Sequence, residues 1–149
     1  MHQIITDIEI ASTPAQIWSV LTDFESFPDW NPFIRAIQGS VAKGSRLSVS
    51  VQPSTGRTMA FKPRVLVADT NVELRWLGRL LVPVIFDGEH FFRILPGTSP
   101  GCTRFVQGEI FSGLLVRLMR HNLEGATKAG FVAMNAALKV RVEALWRAK

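Results

Sequence analysis

The chain is poor in the features that announce a metal site, a disulfide framework or a membrane segment. Cys102 is its only cysteine, so no internal disulfide can form; in the turn Pro100-Gly101-Cys102 it has no partner ligand or base beside it and reads as a bystander thiol. Histidine is equally sparse. His2, His90 and His121 lie too far apart for a closely spaced metal motif, and His121 reads as a half-exposed helix residue, so no zinc site is expected. A phosphate-binding glycine loop, GxSxG and CxxC are all missing, and no cofactor is called for. The longest apolar run, Leu80 to Phe86, is interrupted by Pro83 and is too short to span a bilayer. Met1 to Asp7 lacks the charged-then-apolar pattern of a signal peptide. These absences predict a cytoplasmic protein without stable membrane insertion.

What is present is a length of 149 residues, enough for a single domain over 1–149 with a sizeable core. The net charge of +5 raises the question of nucleic acid, but the basic residues are scattered and do not interleave with aromatics in a groove-reading pattern. Nucleic acid is therefore not an expected partner. Arg141, Arg147 and Lys149 fall near a helix C-terminus, where the macrodipole favours cations.

Gln3 to Ala11 alternates as a strand, with Ile4, Thr6, Ile8 and Ile10 on the face to be buried. Thr13-Pro14-Ala15-Gln16 has the makings of a capping box with proline at the first helical position, and predicts a short helix from Pro14 to about Thr22. The aromatic-dense stretch Asp23 to Phe33 predicts a further turn or two of helix, with Phe27, Trp30 and Phe33 pointing inward. From Ile34 onward, strands separated by turn signals predict an antiparallel meander. Thr58 to Ala68 reads as one strand, at an edge or with a bulge at Lys62-Pro63. The apolar connection Leu80-Leu81-Val82 either packs on the helix ends or serves as a flap at a cavity mouth.

In the following hairpin Phe86, Gly88, His90, Phe92 and Ile94 share one face, and Thr103, Phe105, Gln107, Glu109 and Phe111 share a face of the next strand. If Ile94 pairs with Thr103, His90 lies opposite Gln107, with Glu109 one step further on. A histidine, an amide and a carboxylate would then point into the concavity, as a satisfied cluster or as the polar anchor for a ligand. Ser112 to about Arg147 is the one sustained amphipathic pattern, with Ser112 as a plausible N-cap. Gly125 and Gly130 inside it must allow close approach or mark a bend.

The words Ser12-Thr13-Pro14-Ala15-Gln16-Ile17-Trp18, Phe27-Pro28-Asp29-Trp30-Asn31-Pro32, Gly88-Glu89-His90-Phe91-Phe92 and Glu109-Ile110-Phe111-Ser112-Gly113 sit in the order strand, short helices, meander, long helix. In these the chain resembles the START-like SRPBCC superfamily, in its polyketide cyclase/dehydrase-like branch. The resemblance implies an α+β helix-grip fold: a seven-stranded curved antiparallel sheet around a long C-terminal helix, with two short helices after strand 1. It also implies a pocket between sheet and helix for a lipid, quinone, polyketide or other small hydrophobic molecule. The expected apolar lining is Trp30, Phe33, Phe61, Trp76, Phe92, Phe105, Phe111, Phe131 and Met134, with His90, Gln107 and Glu109 as the polar end. Carriage or sequestration of such a ligand is the first expectation. The alternatives are a cyclase or dehydratase using His90 and Glu109 as acid and base, and a protein-interaction module docking through Leu80-Leu81-Val82. Oligomeric state is not legible.

Overall fold

Thr13 closes the capping box that its neighbours dictate: its hydroxyl accepts from Gln16 N–H at 3.2 Å, and Gln16 Oε1 accepts from Thr13 N–H at 3.0 Å. Helix α1 (Pro14–Leu21) starts from this box and buries Ile17, Val20 and Leu21. The computed structural model describes residues 2–54, 56–79, 87–113, 116 and 123–147. Ahead of α1 lies strand β1 (His2–Ile10), whose buried Ile4, Thr6 and Ile10 follow the alternation of the sequence. Behind it come a single tight turn at Phe24–Ser26 and the short helix α2 (Phe27–Trp30). The prolines at 28 and 32 keep this stretch short.

Seven strands follow α2: β2 (Ile34–Gln38), β3 (Ser48–Val51), β4 (Met59–Phe61), β5 (Arg64–Asp69), β6 (Glu73–Arg79), β7 (Asp87–Pro96) and β8 (Thr103–Ser112). They form a five-stranded sheet in the order β1-β8-β7-β6-β5 and a three-stranded sheet in the order β2-β3-β4, antiparallel throughout. The fold is α+β as expected, with eight strands where seven were read. The extra one arises at Lys62-Pro63, which divides the expected Thr58 to Ala68 strand into β4 and β5. Pairing nevertheless runs on in one register across the break. Val49 faces Phe61, Leu47 N–H donates to Pro63 O at 2.8 Å, Arg46 bridges Arg64, and Val65 N–H donates to Ser45 O at 2.8 Å. Proline has no N–H for the ladder, so the corner between the two sheets falls where a hydrogen bond is already lost.

The β7–β8 hairpin corrects the expected register. Pro96, not Ile94, pairs with Thr103, so His90 stands opposite Glu109 and Phe92 opposite Gln107. The strands run two residues further toward the turn than expected, and the connection closes on itself through Cys102 N–H to Ser99 O at 3.1 Å. A slip of two preserves which face each side chain occupies.

The final helix begins differently from the expectation. Ser112 is the last residue of β8 rather than an N-cap. Val116 is helical and buried, one π-type turn spans Leu123–Thr127, and α3 runs Lys128–Arg147. His121 and the 80–82 loop lie outside the described residues. Helix α3 buries Gly130, Phe131, Met134, Asn135, Leu138 and Val142 against β1, β8 and α1, whereas Leu145 near its end is exposed. Gly130 is a close approach: a Cβ there would collide with the Phe33 ring. Gly125 sits in the π-type turn. Among the described residues no helix is long and apolar enough to cross a membrane.

Candidate functional site

Strand alternation puts Trp76 and His90 side by side on the inner face, opposite each other across β6 and β7. Gly78 and Gly88 form the next inward-facing pair, also directly opposed. Two glycines facing each other make room for the Phe61 ring over Gly78 and the Glu109 carboxylate over Gly88, and a cavity of about 130 Å³ adjoins them. Phe33, Ile34, Trp76, His90 and Phe111 form its buried end; Pro53, Met59, Phe61 and Thr127 are partly exposed and frame the mouth. Thr127 comes from the π-type turn, a local irregularity of the kind found at functional positions. The adjacent Ala126 O accepts from Ser54 Oγ at 3.4 Å, tying the turn to the loop after β3.

One carboxylate interrupts this apolar wall. Glu109 Oε1 lies 2.8 Å from His90 Nδ1, and Oε2 lies over Gly88, where a Cβ would collide with it. The His90 side chain is 6% exposed and that of Glu109 18%, so the carboxylate is the more accessible partner. The imidazole is stacked on Trp76 with centroids 5.3 Å apart and meets the edge of Phe131 at 5.0 Å. Its other nitrogen, Nε2, lies 3.0 Å from Gln107 Oε1. Gln107 Nε2 donates to Asn135 Oδ1 at 2.7 Å, Asn135 Nδ2 donates to Thr6 Oγ1 at 2.8 Å, and the Thr6 hydroxyl donates to Gln107 O at 3.0 Å. The chain of bonds thus runs from the cavity carboxylate through β7 and β8 to α3 and β1, and every member of it but Glu109 is buried. Such a network holds its members in place because each one's partners are already assigned.

On the outer face of the same strands, Arg75 and Arg93 cover Phe91 at 4.7 and 4.6 Å, and Glu73 pairs with both arginines. Burial alone would raise the Glu73 carboxyl; hydrogen bonds from Arg93 and Arg75 outweigh it and hold the group below the usual carboxylate range. This bolts β6 to β7 directly behind Trp76 and His90.

Of the residues read as a site from sequence, Phe33, Phe61, Trp76, His90, Glu109 and Phe111 line the cavity. The others lie elsewhere. Trp30 packs on Phe27 at 5.2 Å in α2, Phe92 stacks on Phe105 at 5.9 Å within the core, and Gln107 is fully buried in the polar chain. Phe131 fills the space between Phe33 and His90, and Met134 is fully buried. Phe92, Phe105, Gln107, Phe131 and Met134 are thus buried in the core, and Trp30 is half-buried beside it. Missed were Ile34, Val51, Pro53, Met59, Gly78 and Thr127, and the role of Gly88. Gly78 was within reach, since it shares the parity of Trp76 and pairs with Gly88. Thr127 was not, because its position depends on an irregular turn. Among the described residues no three His, Cys, Asp or Glu side chains gather as a metal site.

Comparison with known proteins bears on the same geometry. The family model for polyketide cyclase/dehydrase and lipid transport proteins matches residues 1–143. The chain belongs to that family. Its START-like fold recurs in a START superfamily protein from Mycobacterium smegmatis, with 26% identity, a TM-score of 0.72, and 97% of this chain and 99% of that one covered. It recurs in the Zhui aromatase/cyclase from Streptomyces, with 16% identity, a TM-score of 0.76, and 95% and 93% covered. A norcoclaurine synthase point mutant from Thalictrum, solved with a transition state analogue, is similar at 15% identity and a TM-score of 0.73, with 97% and 95% covered. The last two likenesses establish fold alone. No curated protein matches the chain.

Proposed function

We propose that this START-like protein binds a small, largely apolar molecule in the cavity between the two sheets and the π-type turn that leads into α3, for carriage or sequestration. The observation that carries the reading is an apolar chamber whose wall, among the described residues, is broken by a single carboxylate, Glu109, held by His90. Apolar contact would supply most of the affinity, at about 25 cal/mol per Å² buried before the costs of binding. A cavity of this volume suits one ring or a short branched chain, since an engineered cavity of about 150 Å³ accepts benzene.

Filling the cavity tests the proposal. Val51 borders it and is 6% exposed, so Val51→Phe would place a ring in the empty space. The expected outcome is a folded protein of unchanged or higher melting temperature that no longer binds one-ring compounds retained by the wild type, read by ligand-observed NMR. A variant that binds as the wild type does would sink the proposal.

The 2.8 Å contact between His90 and Glu109 supports a second reading, acid–base chemistry on a bound molecule. Both His90 nitrogens are engaged, however, so Glu109 is the group that would meet a substrate. Turnover of a bound compound that disappears in Glu109→Gln would move the reading from carriage to catalysis.

A further inference from the structure

The hydrogen-bond chain behind the cavity fixes what Glu109 can offer a ligand. Its anchor is a main-chain carbonyl, Gln107 O, which can only accept. Thr6 has one hydroxyl hydrogen and lies 3.0 Å from that oxygen, so it donates there and must accept from Asn135. Asn135 therefore turns Nδ2 to Thr6 and Oδ1 to Gln107. Gln107 in turn presents Nε2 to Asn135 and Oε1 to His90, and an amide oxygen requires hydrogen on His90 Nε2.

With Nε2 protonated, the 2.8 Å contact between Nδ1 and Glu109 Oε1 has two self-consistent forms. Either Nδ1 carries a second hydrogen and donates to a carboxylate, or Oε1 carries the hydrogen and donates to the bare Nδ1. A bare nitrogen facing a bare carboxylate oxygen at that distance would repel. Both consistent forms leave the pair with zero net charge, and both leave Oε2 without a hydrogen. Among the described residues, Oε2 makes no hydrogen bond and belongs to the one acidic side chain lining the cavity.

We infer that the cavity selects a neutral molecule of about one ring that carries a hydrogen-bond donor, a phenol or enol hydroxyl being the best fit, and disfavours a carbonyl, ether or carboxylate at the same place. The inference rests on the reading of this cavity as a ligand site. An acceptor group placed against Oε2 would meet a second acceptor in an apolar enclosure, which costs more than the donor gains.

The test uses the full-length protein with phenol, toluene and benzaldehyde, whose substituents are a donor, a methyl group and an acceptor. Dissociation constants are measured by NMR titration for wild type, Glu109→Leu and Glu109→Gln. In the wild type, phenol should bind more tightly than benzaldehyde. The preference for phenol over toluene should fall about tenfold in Glu109→Leu, the size of one hydrogen bond to a buried acceptor. It should survive in Glu109→Gln, because the new amide donates from its nitrogen to His90 Nδ1 and leaves its oxygen toward the cavity. A preference unchanged in Glu109→Leu, or benzaldehyde binding as well as phenol, overturns the inference while leaving the cavity a ligand site. A Glu109→Gln variant that behaves like the leucine variant overturns the proton placement on which the inference is built. Failure of all three compounds to bind the wild type overturns the cavity reading itself, and the inference with it. Should Glu109→Leu not fold, the wild-type ranking and Glu109→Gln still decide.

Discussion

Asn135 occupies a position on α3 where an apolar residue would continue the stripe, and it is 2% exposed. Its amide bonds Gln107 on one side and Thr6 on the other, so its loss strands a donor and an acceptor in the core. Asn135→Leu should therefore destabilise the protein by about 1–3 kcal/mol despite adding apolar surface, measured by urea unfolding. A double variant that also replaces Thr6 by Val should recover little of that loss, because the Thr6 hydroxyl still donates to Gln107 O and its removal breaks that bond as well. At this scale the sequence was readable in parity and unreadable in register. Alternation put His90, Gln107 and Glu109 on one face, but only the closure at Pro96 and Thr103 says which of the last two stands opposite the histidine. Asn135 left no signal, since one polar residue in a long stripe does not disturb the period that reveals the helix.

Elements carry the next set of constraints. Phe33 enters from the segment between α2 and β2, and its ring lies where a side chain at Gly130 of α3 would be, while its edge meets Phe131 at 5.5 Å. Gly130→Ala would drive that ring away from the helix. The expected cost is about 1–3 kcal/mol of stability from overpacking, although alanine is the better helix former. Because Phe33 also lines the cavity, affinity for one-ring ligands should change together with stability in this variant, whereas a change confined to stability would separate the two. Short elements with their own chemistry were legible: the capping box of α1 and the alternation of β1 are decided by residues within a few positions of each other. The start of the last helix was not. Ser112 and Gly113 look like a cap and a turn, yet pairing with β7 keeps Ser112 in the sheet, opposite Asp87. A long-range ladder outweighs a local capping preference.

For the molecule as a whole, the break at Lys62-Pro63 shows why the expected strand count fell one short. A proline lowers the quality of a strand in any reading, but only the paired segment around Ser45 to Leu47 shows that the ladder passes through it and turns a corner. The opposite end of the fold is closed by Glu143 on α3. Its Oε2 accepts from Lys139 Nζ at 2.6 Å and from Ala11 N–H at 2.9 Å, and Lys139 also donates to Glu9 O at 3.0 Å, which joins the helix to the end of β1. The bond from Lys139, followed by that from Ala11 N–H, holds the Glu143 carboxyl below the usual carboxylate range. The unfolded chain therefore takes up its proton at higher pH than the folded one. Glu143 contributes stability that is fully present above the usual carboxylate range and is lost as pH falls through its depressed folded value. Glu73 acts in the same direction on the outer face of β6. Glu143→Gln should lower stability at neutral pH by about 1 kcal/mol, discounted for the exposure of Lys139, and should reduce the slope of stability against pH on the acid side. Urea unfolding of the wild type and this variant across that range is the measurement. Parallel curves at all pH values would mean that the clamp between α3 and β1 holds through packing alone.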